Sequence, residues 1–244
     1  MSAAQQPLRA ELKRMDTVGL VVPSELNESS GQSFVLLNGI QAGSGTFQRL
    51  GRKVNMKSLA VKCHWQPNIN PLNEDMDFPD YTCRFMIIYD REAEENITFG
   101  DVIQNVDETG VPSIEPTAFP NIFNKERFLI LRDKAFSFPA GTVVRNGTTN
   151  KIVSAVTAAD TTNLSERAQI MCDKSTGDAV IWQEYIKLKG LEATYKSTSN
   201  PMTIANFQTG ALYIVLWADI SLSGPTNEIP WMLRFDARTS FLDS

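Results

Sequence analysis

Apolar side chains recur at every second position in several separate stretches of this chain, the spacing that places them on one face of an extended strand. Residues 81–89 put Tyr81, Cys83, Phe85, Ile87 and Tyr89 on one face. In 54–65, Leu59, Val61, Cys63 and Trp65 share a face while Val54 and Met56 fall on the other. That phase change near Ser58 predicts a bulge, or a strand crossing between two environments. Residues 181–191 set Glu184, Ile186 and Leu188 opposite Tyr185, Lys187 and Lys189, and 231–236 set Trp231, Leu233 and Phe235 opposite Met232, Arg234 and Asp236. Residues 211–218 are apolar almost throughout, as in a strand covered on both faces. Shorter runs at 34–37, 128–131 and 135–138 read as further strand material, the last two separated by Arg132-Asp133-Lys134. Val143-Val144-Arg145 and Lys151-Ile152-Val153 flank Asn146-Gly147, a pair that favours a tight hairpin.

Helical signals are sparse. Thr98-Phe99-Gly100-Asp101 has the form of a capping box and predicts a short helix over 99–104. The proline-bearing stretches 66–79 and 104–124 read as loops. About eight strands with long connections and no βαβ rhythm predict an all-β fold, a single jelly roll of two packed antiparallel sheets with one or two short helices. Residues 1–31 are expected to form a flexible arm with one added strand, and 32–244 the jelly-roll domain, with 139–179 as a surface insertion.

Composition changes this picture little. A chain of 244 residues fits one all-β domain, and 42% hydrophobic with 21% charged residues is ordinary for a packed fold. The apolar run at 211–218 falls far short of the roughly 20 residues a membrane helix needs, and the first residues lack the apolar core of a signal peptide. The three cysteines have no metal or redox spacing, so Cys63 and Cys83 read as small reduced core residues. Asn27, Asn96, Asn146 and Asn163 stand in glycosylation-type sequons, but without a secretory signal they read as polar turn residues. Charge is more telling: the net −5 divides into +4 over residues 1–66 and −9 over the rest. Such a division suits a bipolar shell protein, and equally an acidic domain with one basic edge.

Enzymatic chemistry finds few candidates. Gly45 and Gly51 are separated by five residues and followed by Arg52-Lys53-Val54, so the phosphate loop pattern fails, and Gln48 stands where a dinucleotide fingerprint needs its third glycine. The single histidine, His64, lies mid-strand without clustered partners for a triad or metal centre. Glu74, Asp75, Asp77 and Asp80 lack the glycine and distal glutamate of a calcium loop and read as a solvated acidic loop. No catalytic residue, metal or cofactor is assigned. The basic residues are the better lead: Arg9, Lys13 and Arg14 on the arm, Arg49, Arg52 and Lys53 ahead of the first long strand, and Lys57 and Lys62 within it. Such groups contact phosphates without reading bases.

Leu37-Asn38-Gly39-Ile40, then Gln48-Arg49-Leu50-Gly51-Arg52-Lys53-Val54, then Lys57-Ser58-Leu59 resemble the entry into the jelly roll of certain viral capsid proteins. These come from the small circular single-stranded DNA viruses that encode a replication initiator, the group of circoviruses and geminiviruses. Arg84-Phe85-Met86-Ile87-Ile88-Tyr89-Asp90 followed by Thr98-Phe99-Gly100-Asp101-Val102-Ile103 extends the likeness, as do late strands near Ala211 and Trp231. The resemblance implies a non-enzymatic coat protein whose copies, about 60 in a T=1 icosahedral shell, enclose viral single-stranded DNA. It also implies a virion location, a nuclear or cytoplasmic assembly stage, a host receptor and no membrane insertion. Such proteins commonly begin with a dense Arg/Lys arm, whereas this chain has three basic residues in its first 31. The alternative is a carbohydrate-binding, lectin-like sandwich that remains monomeric or forms a small oligomer.

Overall fold

A computed structural model describes residues 11–21, 34–67, 76–78, 81–106, 110, 112–113, 117–138, 141–146, 149–153, 181–196, 202–219 and 231–243. Almost all of them lie in antiparallel strands or the turns between them. Strands β1 (Lys13–Val21), β2 (Phe34–Leu36), β3 (Lys53–Pro67), β4 (Met76–Phe78) and β5 (Tyr81–Asp90) precede the helix α1 (Phe99–Val102). After it come β6 (Asn105–Val106), β7 (Pro112–Ser113), β8 (Phe128–Phe138), β9 (Gly141–Asn146) and β10 (Thr149–Val153). The late strands are β11 (Ile181–Tyr195), β12 (Phe207–Thr209), β13 (Ala211–Asp219) and β14 (Trp231–Asp243).

Two sheets pack face to face as an all-β jelly roll, one ordered β1-β14-β3-β11-β12 and the other β2-β13-β5-β8. The alternation explains the layers. Leu59, Val61, Cys63 and Trp65 of β3 and Leu233, Phe235 and Ala237 of β14 turn into the shared core. Aromatic rings cross the interface: Phe85 of β5 meets Trp182 of β11 edge-on at 5.3 Å, and Phe136 of β8 lies 4.7 Å from the same ring. Burial pushes the Cys63 thiol up to about 12 and raises that of Cys83 as well.

The bulge expected near Ser58 is present. Ser58 faces Ser240 of β14 but Met56 faces Phe241, which leaves Lys57 over, and the same point breaks the register with β11. Ala211 to Trp217 are buried on both sides. The second face of their sheet is covered by α1, whose Phe99 lies 6.1 Å from Trp217 and 5.2 Å from Phe34. The helix is shorter than expected, ending at Val102, with the Thr98 amide donating to the Asp101 carboxylate at 2.8 Å.

Three expectations need correction. Arg132-Asp133-Lys134 does not interrupt the strand, because β8 runs unbroken from Phe128 to Phe138. Each charge has a partner: Asp133 accepts two bonds from Arg84 of β5, at 2.8 and 2.5 Å, while Arg132 and Lys134 both pair with Glu184 of β11. The loop 66–79 contains β4, paired to β9, and 104–124 contains the small β6–β7 pair. The one added strand expected within the arm is present, as Lys13–Val21 paired with β14 along its whole length. The hairpin about Asn146 forms, with Asn146 opposite Thr149. Residues 139–140, 147–148 and 154–179 of the expected insertion lie outside the described residues.

Glu184 therefore joins the sheets by charge. Burial alone would raise its carboxyl, but hydrogen bonds from Lys134 and Arg132 outweigh that and hold it below the ordinary value. A depressed carboxyl stabilises the fold above its unfolded-state pKa and loses that contribution as pH falls through the folded one. Glu184→Gln is expected to cost about 1 kcal/mol at neutral pH, modest because both cations are part-exposed. In urea titrations the difference from the parent should shrink to nothing as the pH drops below the carboxylate range.

Candidate nucleic-acid interface

The eight basic residues singled out in the sequence divide sharply in the structure. Lys13 sits on the core phase of β1, 7% exposed, with its ammonium on the Gln48 carbonyl at 2.9 Å and the Asp243 carboxylate at 2.8 Å. Arg49 is 1% exposed. Its Nε donates to the Ile40 carbonyl at 3.0 Å, its Nη1 to that of Gly51 at 2.5 Å, and the guanidinium lies 4.2 Å from the centre of the Tyr195 ring. Neither side chain is presented to a phosphate. Lys53 is exposed and paired with Glu192 at 2.7 Å, Arg52 is exposed on the approach to β3, and Arg9 lies outside the described residues.

Arg14 and Lys62 share the outward face of the five-stranded sheet. Strand register places four rows of side chains across β1, β14, β3 and β11: Arg14, Ser240, Ser58 and Lys187; then Asp16, Arg238, Ala60 and Tyr185. The next rows are Val18, Asp236, Lys62 and Gln183, then Leu20, Arg234, His64 and Ile181. Strand spacing and rise make this a field of roughly 15 by 20 Å. It holds five exposed cations, Arg14, Lys62, Lys187, Arg234 and Arg238, against two carboxylates, Asp16 and Asp236.

Within the field Arg238 forks onto Asp16 with two bonds of 2.6 Å, which fixes β1 to β14 and lowers the Asp16 carboxyl below its ordinary value. Lys57 stands at the bulge, half-buried beside the field. Tyr185 is 61% exposed and presents a ring among cations, the combination on which unpaired bases stack. His64 takes its place as a half-buried sheet-face residue. A positively charged sheet face suits phosphates held by charge alone, since reading base edges needs an element that enters a groove.

Lys187, Arg234, Arg238 and Tyr185 were not singled out from sequence. The outward phase of Tyr185, Lys187 and Arg234 was already readable in the alternation of 181–191 and 231–236, while Arg238 lies past the second stretch. The strand order that sets β14 and β11 on either side of β3 was not. Among the described residues, no cluster of three or more His, Cys, Asp or Glu is placed to hold a metal ion. Of the acidic residues 74, 75, 77 and 80, only the Asp77 backbone is described, within β4.

The motif residues have another task. Asn38, fully buried, donates to the Gly210 carbonyl at 2.8 Å and accepts from the Leu212 amide at 2.9 Å, while its own carbonyl takes the Tyr195 hydroxyl at 2.7 Å. Gly210 has φ of +80°, and a Cβ there would come within 2.1 Å of the Glu192 carbonyl oxygen, so this position requires glycine. Compared with known proteins, the chain matches no family model, and no curated protein is significantly similar to it.

Two variants separate the buried from the exposed cations. Arg49→Ala leaves buried carbonyls unpaired and is expected to cost about 3 kcal/mol. Lys62→Gln is expected to stay within about 0.5 kcal/mol of the parent. Thermal melts of the two purified variants check both figures.

Proposed function

We propose that this chain is a structural, non-enzymatic capsid protein of the kind made by small circular single-stranded DNA viruses. Its copies close into a small icosahedral shell whose inner wall is the outward face of the five-stranded sheet. The observation that carries this reading is the field of Arg14, Lys62, Lys187, Arg234 and Arg238 around Tyr185, built by four adjoining strands rather than by one basic segment. Three further features support it: the jelly-roll layering, the Asn38 and Arg49 motif placed at the joint between the sheets, and large apolar side chains left exposed on loops. Packaging of this sort is blind to sequence, because the wall offers charge and a stacking surface but nothing shaped to a particular base.

Purified protein should scatter light as particles of tens of subunits and carry nuclease-protected nucleic acid. In the triple variant Lys62→Gln, Lys187→Gln, Arg234→Gln the particle should persist while the protected nucleic acid falls severalfold. For dissociated subunits binding a single-stranded oligonucleotide, the slope of log affinity against log salt should fall by about 2, three contacts at roughly 0.7 each. Protected nucleic acid undiminished in the variant would reject the cargo face. A stable monomer across mild pH and salt would reject the shell and favour the lectin-like alternative.

A further inference from the structure

The loop between α1 and β8 is built with care and points apolar side chains at water. Asn121, 6% exposed, donates to the Gly100 carbonyl at 2.7 Å and to Gln104 at 2.9 Å, and its own Oδ1 accepts the Phe123 amide at 2.9 Å. Asn124 donates to the Asp101 carbonyl at 3.1 Å, and Arg127, which closes the loop, is locked to the buried Asp90 at 2.9 and 3.0 Å. On this fixed frame Phe119, Ile122 and Phe123 are 74%, 64% and 72% exposed. Single exposed apolar residues are ordinary. Three large ones within five positions, held by a hydrogen-bonded turn, form a preorganised knob of the sort that anchors interfaces.

A hollow lies beside the loop that leads into α1. Edge strand β2, the loop before α1 and the turn at 202–205 line an open hollow of about 620 Å³, with the half-buried Phe34, Ile97, Met202 and Ile204 and the exposed Glu94 and Glu95 among its walls. That volume lies in the range of roughly 300–1,000 Å³ that takes a compact organic group. The knob carries a complementary charge: exposed Lys125 lies two residues past Phe123, its neighbour Glu126 stands 3.9 Å from Arg91, and Glu95 is exposed on the rim.

We infer that the hollow receives the Phe119, Ile122 and Phe123 knob of a second copy of this chain, with Lys125 meeting Glu95. The inference rests on the shell reading and names one contact from which the shell is built. In each copy the knob is exposed, so it is not spent on its own hollow, and every copy offers one knob and one hollow. Such paired surfaces propagate into closed assemblies when their rotations close.

Sedimentation velocity at matched concentrations tests it with Phe119→Ser combined with Phe123→Ser, with Lys125→Glu, with Glu95→Lys, and with the last two together. The serine variant, whose melting temperature should be unchanged because both rings face water, is expected to hold at least tenfold less protein in assembled species. Each charge reversal alone should lower assembly severalfold, and the reversed pair in one chain should bring it back to within twofold of the parent. Parent-like assembly by the serine variant would overturn the contact while leaving the shell reading intact. A reversed pair no better than the single changes would overturn the assignment of the hollow. If the parent forms only a small oligomer that the serine variant dissolves, the contact stands and the shell reading fails. A parent that is monomeric at every concentration sinks both.

Discussion

Taking a guanidinium out of water costs several kcal/mol unless its protons are engaged, and this fold buries one at the joint of its two sheets. Burial draws the Arg49 guanidinium down from its ordinary pKa, partly offset by Tyr195 and Asp243. Its bonds to the carbonyls of Ile40 and Gly51 gather the glycine-bearing loop ahead of β3 around one side chain. Tyr195, beneath it, belongs to β11 of the five-stranded sheet, and the tyrosine hydroxyl reaches Asn38, which in turn holds the start of β13 in the four-stranded one. Apolar burial packs the layers but has no direction. This polar chain of contacts sets which strand ends meet.

The same joint explains what could and could not be read in the sequence. Alternation in 181–191 and 231–236 gave strand faces directly, since one buried face leaves a period of two, whereas residues 83–90 are buried on both faces despite their alternation. The cations ahead of β3 were harder. Arginine is almost never fully buried, so reading Arg49 and Lys13 as solvent-facing followed the ordinary rule, and the partners that overturn it, Tyr195 and Asp243, lie far along the chain. Arg132-Asp133-Lys134 looked like a break for the same reason, because Arg84 and Glu184 are invisible until the sheets are paired. The outward field was half legible: Lys62 was named, but Lys187 and Arg234 needed the order in which β14, β3 and β11 lie side by side.

The two faces of the five-stranded sheet thus serve different ends with the same strands. On β3, Leu59, Val61 and Cys63 hold the core while Lys62 and His64 look out, and no residue is asked to do both. Substitutions on the outer phase can retune charge with little effect on folding, whereas those on the inner phase must conserve volume. The knob and hollow beside α1 obey a similar separation, since asparagine side chains hold the backbone and leave the apolar side chains without an internal duty.

Cys63 and Cys83 lie within the packed layers, and their thiols resist ionisation there. Alkylating reagents attack the thiolate, so in the closed structure both sulfurs are silent twice over, by access and by protonation. Any label that does arrive at those two positions records a moment when the layers had parted, which gives the chain an internal clock for its own breathing.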